Sequence, residues 1–225
     1  MPAFKGDAVK NKTSRAPVAP HMLNPEMLGI RLRTARKQRG WTLAQVAERS
    51  NVSITTISRA ERGQLALGYE NVAALAQALQ LDMGTLFSHD YEQPPAEQGP
   101  VITRSGEGVA YRGLSFTYEF LATAAKGKPI NPVLGTIHAR RINSPEDFSR
   151  HAGVEFVYVI SGRIEVHFET GEVAALDKGD SLYFDSRIGH AYICVSKQLA
   201  KVIGVITAES DQILLARQGH DLPGH

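Results

Sequence analysis

Residues 41–63, WTLAQVAERSNVSITTISRAERG, decide the fold of the first third of the chain. The first half of this stretch places apolar or small side chains at the i, i+3, i+4 and i+7 spacing of one helix face, at Leu43, Val46, Ala47 and Ser50. This spacing predicts a short amphipathic helix. Thr42 precedes it, and a Thr hydroxyl at that position accepts a backbone N–H that the first helical turn leaves without a partner.

A second short helix is predicted after a tight turn. Asn51 tolerates the left-handed backbone conformation that such a turn requires, and Ser53 is the next residue suited to cap a helix. The helix that follows has only two clear inward residues, Ile57 and Ala60. Two capped helices across a short turn predict a helix-turn-helix, whose second helix enters the major groove of DNA.

The candidate DNA contacts lie on the polar face of the second helix and at the start of the first. We expect base-edge contacts from Thr55, Thr56 and Arg59, because Arg pairs with guanine O6 and N7, and Thr meets a polar edge or a thymine methyl. Ile54 offers an apolar contact. The full set is Thr42, Gln45, Ser53, Ile54, Thr55, Thr56, Ser58, Arg59 and Arg62.

The positive charge of the chain is concentrated in the same region. The whole sequence carries a net charge of +2, but residues 1–92 hold 12 Lys and Arg against 8 Asp and Glu, whereas residues 93–225 hold 13 against 15. Residues 27–63 hold 8 basic residues against 2 acidic ones. Any affinity for a polyanion therefore belongs to the N-terminal third.

Length and composition indicate two globular domains in a reducing compartment. A chain of 225 residues is long enough for two modest domains, each with its own core. The single cysteine, Cys194, excludes an intramolecular disulfide and favours a reducing environment. The first 22 residues lack the apolar core of a secretory signal, and no run of about 18 apolar residues occurs. We therefore expect a cytoplasmic protein that does not contact a membrane.

The sequence divides into five segments. We expect a flexible basic arm over residues 1–22, a five-helix domain over 23–88, a linker over 89–108, a β domain over 109–216 and a flexible tail over 217–225. The linker contains EQPPAEQGP and has no periodicity, which is typical of a connecting segment. The predicted fold class is an all-α domain followed by an all-β domain.

Periodicity supports both domains. Helical spacing recurs at Leu28, Leu32 and Ala35 before Gly40, and again at Val72, Leu75, Ala76 and Leu79, with a last turn at 83–87. From residue 109 onward, β-forming residues predict strands at 109–112, 115–121, 133–139, 154–161, 163–168, 172–176, 181–184, 190–195 and 200–207. Short, closely spaced strands separated by glycine turns indicate an antiparallel sandwich or barrel.

The helical region resembles the lambda-repressor/Cro-like, XRE-type helix-turn-helix family, through Gly40-Trp41-Thr42, Leu43–Ala47, Val52-Ser53 and Ile57–Gly63. The resemblance implies a buried ion pair between Arg36 and Glu61 that locks the first helix onto the recognition helix. Many relatives begin the second helix with a Gln that contacts phosphate, whereas this chain has Leu43. Phosphate contacts are then expected from Thr42, Gln45 or Arg62.

The β region resembles the cupin family, an antiparallel double-stranded β-helix or jelly-roll barrel. Its two motifs are similar to the segment from His151 through Glu155 to Gly162, and to the segment from Gly179 to His190. In metal-binding cupins, two His and a Glu of the first motif and one His of the second bind one ion. By this resemblance His151, Glu155 and His190 are metal ligands, while Ser149 occupies the position of the first His.

Two interpretations of this cluster remain open at the level of sequence. His151 and Glu155 are four residues apart, so an extended strand would point both to one face, where they can meet His190. Two imidazoles and a carboxylate suit a divalent metal such as Zn, Fe, Ni or Mn with open positions for water or a ligand. The alternative is a hydrogen-bonded polar cluster inside the barrel without a metal.

A barrel interior can also hold one small molecule. Tyr192 shares the face of His190 by strand parity, and an arginine in the pocket would favour a carboxylate-bearing ligand, because guanidinium binds a carboxylate in a bidentate manner. The candidate pocket residues are Tyr111, Arg112, Tyr118, His138, Arg140, Tyr183 and Tyr192.

Together, these features predict a sequence-specific transcription regulator and not an enzyme. We expect a homodimer on a near-palindromic operator, because paired recognition helices read half-sites about 34 Å apart, and a small-molecule effector in the barrel. Two alternatives remain: a metal-dependent cupin dioxygenase or isomerase with a DNA-binding head, and an antitoxin or phage-type repressor that does not respond to a ligand.

Overall fold

The computed structural model describes residues 20–81, 83–87, 100–113, 115–125 and 128–207. Most of the predicted basic arm, the first part of the predicted linker and the predicted tail lie outside these residues. Residues 100–108 form no helix or strand. No described helix is long and apolar enough to span a membrane.

The N-terminal part is helical. Its elements are α1 (Pro25–Gln38), α2 (Leu43–Ser50), α3 (Ile54–Glu61), α4 (Tyr69–Ala78) and α5 (Met83–Leu86). Four of these have eight residues or more, whereas α5 is a single turn of four residues. The predicted count of five therefore includes one element that is only a helical turn.

The caps that define the helix-turn-helix form as the sequence predicts. The Thr42 hydroxyl accepts from the backbone N–H of Gln45, and the Gln45 side chain accepts from the backbone N–H of Thr42. Asn51 ends α2 in the left-handed conformation with φ 55°. Ser53 caps α3 by accepting from the Thr56 backbone N–H at 3.1 Å. These local features define where α2 begins and ends and where α3 begins.

The C-terminal part is built of strands. They are β1 (His21–Leu23), β2 (Val109–Arg112), β3 (Phe116–Phe120), β4 (Ile130–Ile137), β5 (Val154–Ser161), β6 (Ile164–Phe168), β7 (Val173–Leu176), β8 (Ser181–Asp185), β9 (His190–Cys194) and β10 (Ala200–Thr207). One sheet has the order β1-β2-β3-β4-β10-β5-β8 and the other β7-β6-β9. All pairings except β1–β2 are antiparallel.

Strand β1 was not predicted, because residues 21 and 22 were assigned to the flexible arm. His21–Leu23 pairs in parallel with β2, and the Leu23 side chain is only 1% exposed. Burial of this apolar side chain anchors the chain just before α1. The segment that enters the helical domain is therefore part of the β sheet.

The helical part of the chain, α1 to α5, is called the head. The head and the β domain share one hydrophobic core. The Tyr111 hydroxyl on β2 accepts from the backbone N–H of Leu67 at 2.6 Å and donates to its carbonyl at 3.0 Å. Phe87, after α5, stacks on Phe120 of β3 with ring centroids 3.8 Å apart. One cluster of buried side chains includes residues from α1 to α4 together with Val109, Val133 and Ile206. The two parts therefore pack directly against each other.

A second hydrophobic cluster lies between the two sheets. It joins Val157 and Val202 of the large sheet to Ile164, Val166 and Cys194 of the small one. This is the two-sheet packing that the cupin resemblance predicts, and it encloses the cavity described below.

Candidate functional site

The outer face of α3 presents polar and apolar groups to solvent. Ser53, Ile54, Thr55 and Arg59 are exposed, and Ile54 retains 49% of its surface. The opposite face of the helix buries Ile57 and Ala60 against the core.

The polar side chains of α3 and of Arg62 differ in whether they already have hydrogen-bond partners within the protein. The Thr56 hydroxyl is hydrogen-bonded to that of Ser53 at 2.8 Å. The Arg62 guanidinium binds Gln64 at 2.9 Å and also the Ser58 hydroxyl. By contrast, the side chain of Arg59 makes no hydrogen bond or ion pair with a described residue.

Thr42 and Gln45, two of the predicted phosphate contacts, are exposed at the start of α2. The Gln45 side-chain oxygen accepts from the Thr42 backbone N–H at 2.9 Å, which fixes the orientation of its amide group. The same pair of residues therefore caps α2 and holds an amide at the surface beside α3.

An ion pair braces α3 from behind. Arg36 of α1 donates to the Glu61 carboxylate through Nε at 2.6 Å and Nη2 at 2.7 Å, and through Nη1 to the Trp41 carbonyl at 2.8 Å. The side chains are 13% and 7% exposed. The hydrogen bond to Glu61 raises the pKa of Arg36. The structure thus brings together the two residues that the helix-turn-helix resemblance pairs.

A cavity of about 490 Å³ lies inside the β domain. Strands β3, β4, β5, β9 and β10 contribute to its wall, as does the loop of residues 139–149. The lining residues that carry polar side chains are Tyr69, Glu70, Ser115, Tyr118, Arg140, Arg141, Asn143, Glu146, Asp147, Ser149, His151, Glu155, His190 and Tyr192.

His151, Glu155 and His190 converge in this cavity. The Nε2 atom of His151 lies 3.3 Å from Glu155 Oε2, and the Nε2 atom of His190 lies 3.6 Å from the same oxygen. The potential ligand atoms of the three residues all lie within 4.8 Å of one another. Their side chains are at most 10% exposed.

The hydrogen bonds of the two imidazoles determine what the cluster can bind. His190 Nδ1 lies 2.8 Å from the Ile188 carbonyl, and His151 Nδ1 lies 3.3 Å from the Ala152 carbonyl. A carbonyl oxygen only accepts, so Nδ1 of His190 carries a proton and its Nε2 presents a lone pair to the cluster. Both ring nitrogens of His151 lie near acceptor oxygens, those of Ala152 and Glu155. The set of two imidazoles and one carboxylate fits a divalent cation, and the Nδ1 bonds orient both rings as in protein metal sites.

The surroundings keep Glu155 ionised and His190 neutral. Burial raises the pKa of Glu155, but hydrogen bonds from His151 and Tyr192 and the nearby imidazoles outweigh it, so the pKa is lowered. Tyr192 donates to Glu155 Oε1 at 2.6 Å. Burial lowers the pKa of His190 more than Glu155 raises it. These are the protonation states that a metal ligand requires.

The backbone that carries His151 differs from the prediction. His151 and Glu155 were expected on one continuous strand, but β5 begins at Val154 and His151 lies in the loop before it. Gly153 turns the chain with φ 101°, and a Cβ there would lie 2.1 Å from the Thr207 carbonyl oxygen. The two side chains therefore meet across a tight turn and not by strand parity.

Three of the seven predicted pocket residues line the cavity. They are Tyr118, Arg140 and Tyr192. Arg140 donates to the backbone carbonyls of residues 194, 196 and 197, so its guanidinium secures a loop. A role for Arg140 in binding a carboxylate ligand stays a prediction.

The other four predicted pocket residues do not line this cavity. Tyr111 is held by Leu67 in the contact between head and sheet, where burial raises its pKa to about 12. His138 is hydrogen-bonded to Thr117 at 2.7 Å. Arg112 is exposed at the end of β2, and Tyr183 is 66% exposed on β8. Aromatic or charged character alone did not distinguish inner from outer positions.

Sequence reasoning missed several residues of the cavity wall, and two of them, Tyr69 and Glu70, lie outside the β domain. They belong to the first turn of α4 in the helical head. The only related signal in the sequence was Ser149, which stands in place of a histidine and whose hydroxyl donates to Glu70 Oε2 at 3.0 Å.

Comparison with known families agrees with this architecture. Residues 27–89 match the model of the helix-turn-helix domain, and residues 139–206 match the model of the cupin domain. No curated protein sequence matches the chain.

Among solved structures, the chain is similar to an HTH_3 family transcriptional regulator from Vibrio cholerae. The two are 18% identical with a TM-score of 0.59, over 83% of this chain and 97% of that one. This likeness shows the fold. A weaker match is the hydroxypropylphosphonic acid epoxidase from S. wedmorenis, with 22% identity and a TM-score of 0.41 over 81% of this chain and 98% of that one.

Proposed function

We propose that this chain, which belongs to the helix-turn-helix proteins with a C-terminal cupin domain, is a DNA-binding transcription regulator that responds to a small molecule. The small molecule binds in the cupin cavity through a divalent metal held by His151, Glu155 and His190. The protein acts as a homodimer on a near-palindromic operator.

One observation carries the DNA-binding part of the proposal. The exposed face of α3 presents Thr55 and Arg59 to solvent while the Arg36–Glu61 ion pair and the buried Ile57 hold the helix in place. A rigid helix with an available guanidinium can place it against guanine O6 and N7 in the major groove. Residues 27–63 also carry an excess of basic side chains, which favours phosphate contacts.

The metal part of the proposal rests on the convergence of His151, Glu155 and His190. Two imidazole nitrogens and one carboxylate fit Zn, Fe, Ni or Mn, and three protein ligands leave positions open for an exogenous ligand. A bound metal would supply a Lewis-acidic centre to which an anionic group of the effector can bind. The cavity of about 490 Å³ has the volume of a small-molecule site.

Binding, and not turnover, is the role that we propose for the cavity. Burial raises the pKa of Tyr69, Tyr118 and Tyr192 above that of a free phenol. These hydroxyls keep their protons near neutral pH, so they can donate hydrogen bonds to a ligand but are poorly matched to general base catalysis.

The outer face of the large sheet offers a surface for the proposed dimer. Phe156, Tyr158 and Ile160 alternate along β5 with 37%, 41% and 38% of their surfaces exposed, and Tyr183 lies opposite Phe156 on β8. Contiguous apolar residues on a sheet face favour association with another protein surface. A second copy would give the two heads that a palindromic operator requires.

The experiment for this proposal is a binding-site selection with the full chain, followed by sedimentation of the protein. We expect a near-palindromic consensus and a dimer. Tyr158→Glu should shift the protein to monomer, whereas Val173→Glu, which alters an exposed apolar residue on the other sheet, should not. Absence of any enriched DNA sequence would contradict the regulatory function.

A further inference from the structure

The first turn of α4 is shared between the head and the cavity. Tyr69 and Glu70 belong to the helical domain, yet both line the cupin cavity together with His151. A second cavity of about 380 Å³ lies between α4 and the β domain and has the same three residues in its wall. The contact between α4 and the cluster of His151, Glu155 and His190 therefore lies between the two cavities.

Tyr69 contacts one of the proposed metal ligands directly. Its ring meets the His151 ring edge-on with centroids 5.2 Å apart. Tyr69 is only 7% exposed, and its hydroxyl makes no hydrogen bond with a described residue. His151 lies in a loop and not in a strand, so ring packing by Tyr69 adds to the weak Nδ1 bond that orients it.

Glu70 is held in a fixed position beside the cluster. Its Oε2 accepts from the Ser149 hydroxyl at 3.0 Å, and its Oε1 accepts from the Asn71 side-chain amide at 3.1 Å. Gly68 leaves the space that the carboxylate occupies, since a Cβ there would lie 2.3 Å from Glu70 Oε1. The Glu70 carboxylate is thus hydrogen-bonded to Ser149, the residue at the position where metal-binding cupins have their first histidine.

The negative charge of Glu70 would favour a divalent cation bound at the neighbouring cluster. A ligating imidazole is neutral, so a divalent ion bound by His151, His190 and the Glu155 carboxylate would keep one uncompensated positive charge. The Glu70 carboxylate would neutralise it in a largely buried cavity, where such interactions are screened less than at the surface.

We propose that the DNA-binding head completes the metal site: Glu70 is an outer carboxylate that strengthens divalent-cation binding, and Tyr69 positions His151. This inference rests on the proposed metal-binding function. Because coupling between two equilibria is reciprocal, a metal that binds more tightly when α4 is docked must also stabilise the docked position of α4. Occupancy of the cavity would then act on the head through α4, which packs against α2.

Glu70 also has a purely structural explanation, because an acidic side chain in the first turn interacts favourably with the helix dipole. That role predicts a small loss of helix stability on substitution and no effect on cation affinity. The two explanations are therefore separated by a measurement of metal binding.

The test is a Co²⁺ titration of the full chain, followed by visible absorption. We expect Glu70→Gln to weaken Co²⁺ binding about 10-fold, in the range found for residues that support metal ligands. Glu48→Gln makes the same charge change at an exposed position of α2 outside both cavity walls, and should leave the affinity unchanged. Gly68→Ala keeps the charge but displaces the carboxylate, and should weaken binding several-fold.

A second readout follows the head itself. Amide hydrogen exchange of residues 69–78 should slow on addition of Co²⁺ in the parent chain. In Tyr69→Leu the slowing should be smaller, while thermal unfolding without metal reports any loss of folding. Equal Co²⁺ affinity of parent and Glu70→Gln would overturn the inference and leave the metal site itself intact. Absence of any Co²⁺ spectrum in the parent chain would overturn the metal part of the proposed function as well.

Discussion

The exposed face of α3 and the cavity of the β domain are built in opposite ways. The α3 face consists of neighbours in sequence on one capped helix, open to solvent and supported by Arg36 and Glu61. The cavity brings His190 of β9 beside His151 and Glu155, which flank the start of β5, buries all three, and takes part of its wall from the head. A surface on one helix is thus formed by residues that are close in sequence, whereas an internal cavity depends on how distant segments of the chain pack together.

The two regions also differ in what supports them. The α3 surface depends on one ion pair and on helix caps, which are pairwise contacts that single substitutions remove. The cavity depends on the convergence of His151, Glu155 and His190, together with the contact of α4. Substitutions should therefore affect stability and DNA affinity in the first region and metal affinity in the second.

Loss of the ion pair should produce the largest effect on the α3 side of the comparison. Glu61→Ala leaves the Arg36 guanidinium largely buried without its carboxylate, so we expect the free energy of unfolding to fall by about 3–5 kcal/mol. Chemical denaturation followed by Trp41 fluorescence, the only tryptophan in the sequence, measures this change. Glu48→Ala, at an exposed site on α2, is the matched control, and an equal loss in both variants would contradict the bracing role.

Removal of a proposed metal ligand should lower metal affinity and leave the α3 surface unaffected. We expect His190→Ala to weaken Co²⁺ binding by more than about 100-fold, beyond the effect of a supporting residue. His167→Ala removes an imidazole that pairs with Glu165 outside the cavity wall and should have little effect. Metal titration of both variants decides the point, and retained Co²⁺ affinity in His190→Ala would show that the cluster is only hydrogen-bonded.

Substitution of Arg59 should show whether the α3 surface contacts a base and not only phosphate. We expect Arg59→Ala to lose discrimination at one base pair by about 1–3 kcal/mol, because a base contact specifies sequence. Arg62→Ala should instead weaken binding to all sequences to a similar degree, as a phosphate contact does. Binding to a set of single-base operator variants distinguishes the two patterns. An unchanged preference in Arg59→Ala would refute the assignment.

The smallest expected effect concerns the cap of α2. Thr42→Ala removes the hydroxyl that accepts from the Gln45 backbone N–H, so stability should fall by about 1 kcal/mol. Thermal unfolding compares it with Thr55→Ala, whose side chain is exposed on α3 and should have almost no influence on stability. A larger loss in Thr55→Ala than in Thr42→Ala would contradict the capping role.

The sequence predicted the local parts of the molecule well. Thr42, Asn51 and Ser53 act where the caps and the turn were expected, because capping depends on residues within one helical turn. The nine predicted strands each correspond to an observed strand, because alternation and glycine turns are also local signals. The convergence of His151, Glu155 and His190 was expected from the family resemblance, whereas the parity argument for His151 did not foresee the turn at Gly153.

Contacts between the head and the β domain could not be predicted in the same way. Tyr69 has the pattern of an ordinary buried helix residue, and Glu70 that of a favourable first-turn acid, so neither signals a cavity in sequence. Their role arises from packing of α4 against segments about 80 residues away, at Ser149 and His151. Strand β1 was missed for the same reason, since its partner β2 lies far along the chain.

The proposed coupling joins the α3 surface and the cavity into one system through α4. Operator affinity of the full chain, measured with Co²⁺ and with chelator, tests it most directly. We expect a difference of about 5-fold or more, the lower range of coupling between two sites, and we expect it to vanish in His190→Ala and to shrink in Glu70→Gln. Equal operator affinity with and without Co²⁺, in a parent chain that binds Co²⁺, would contradict the claim.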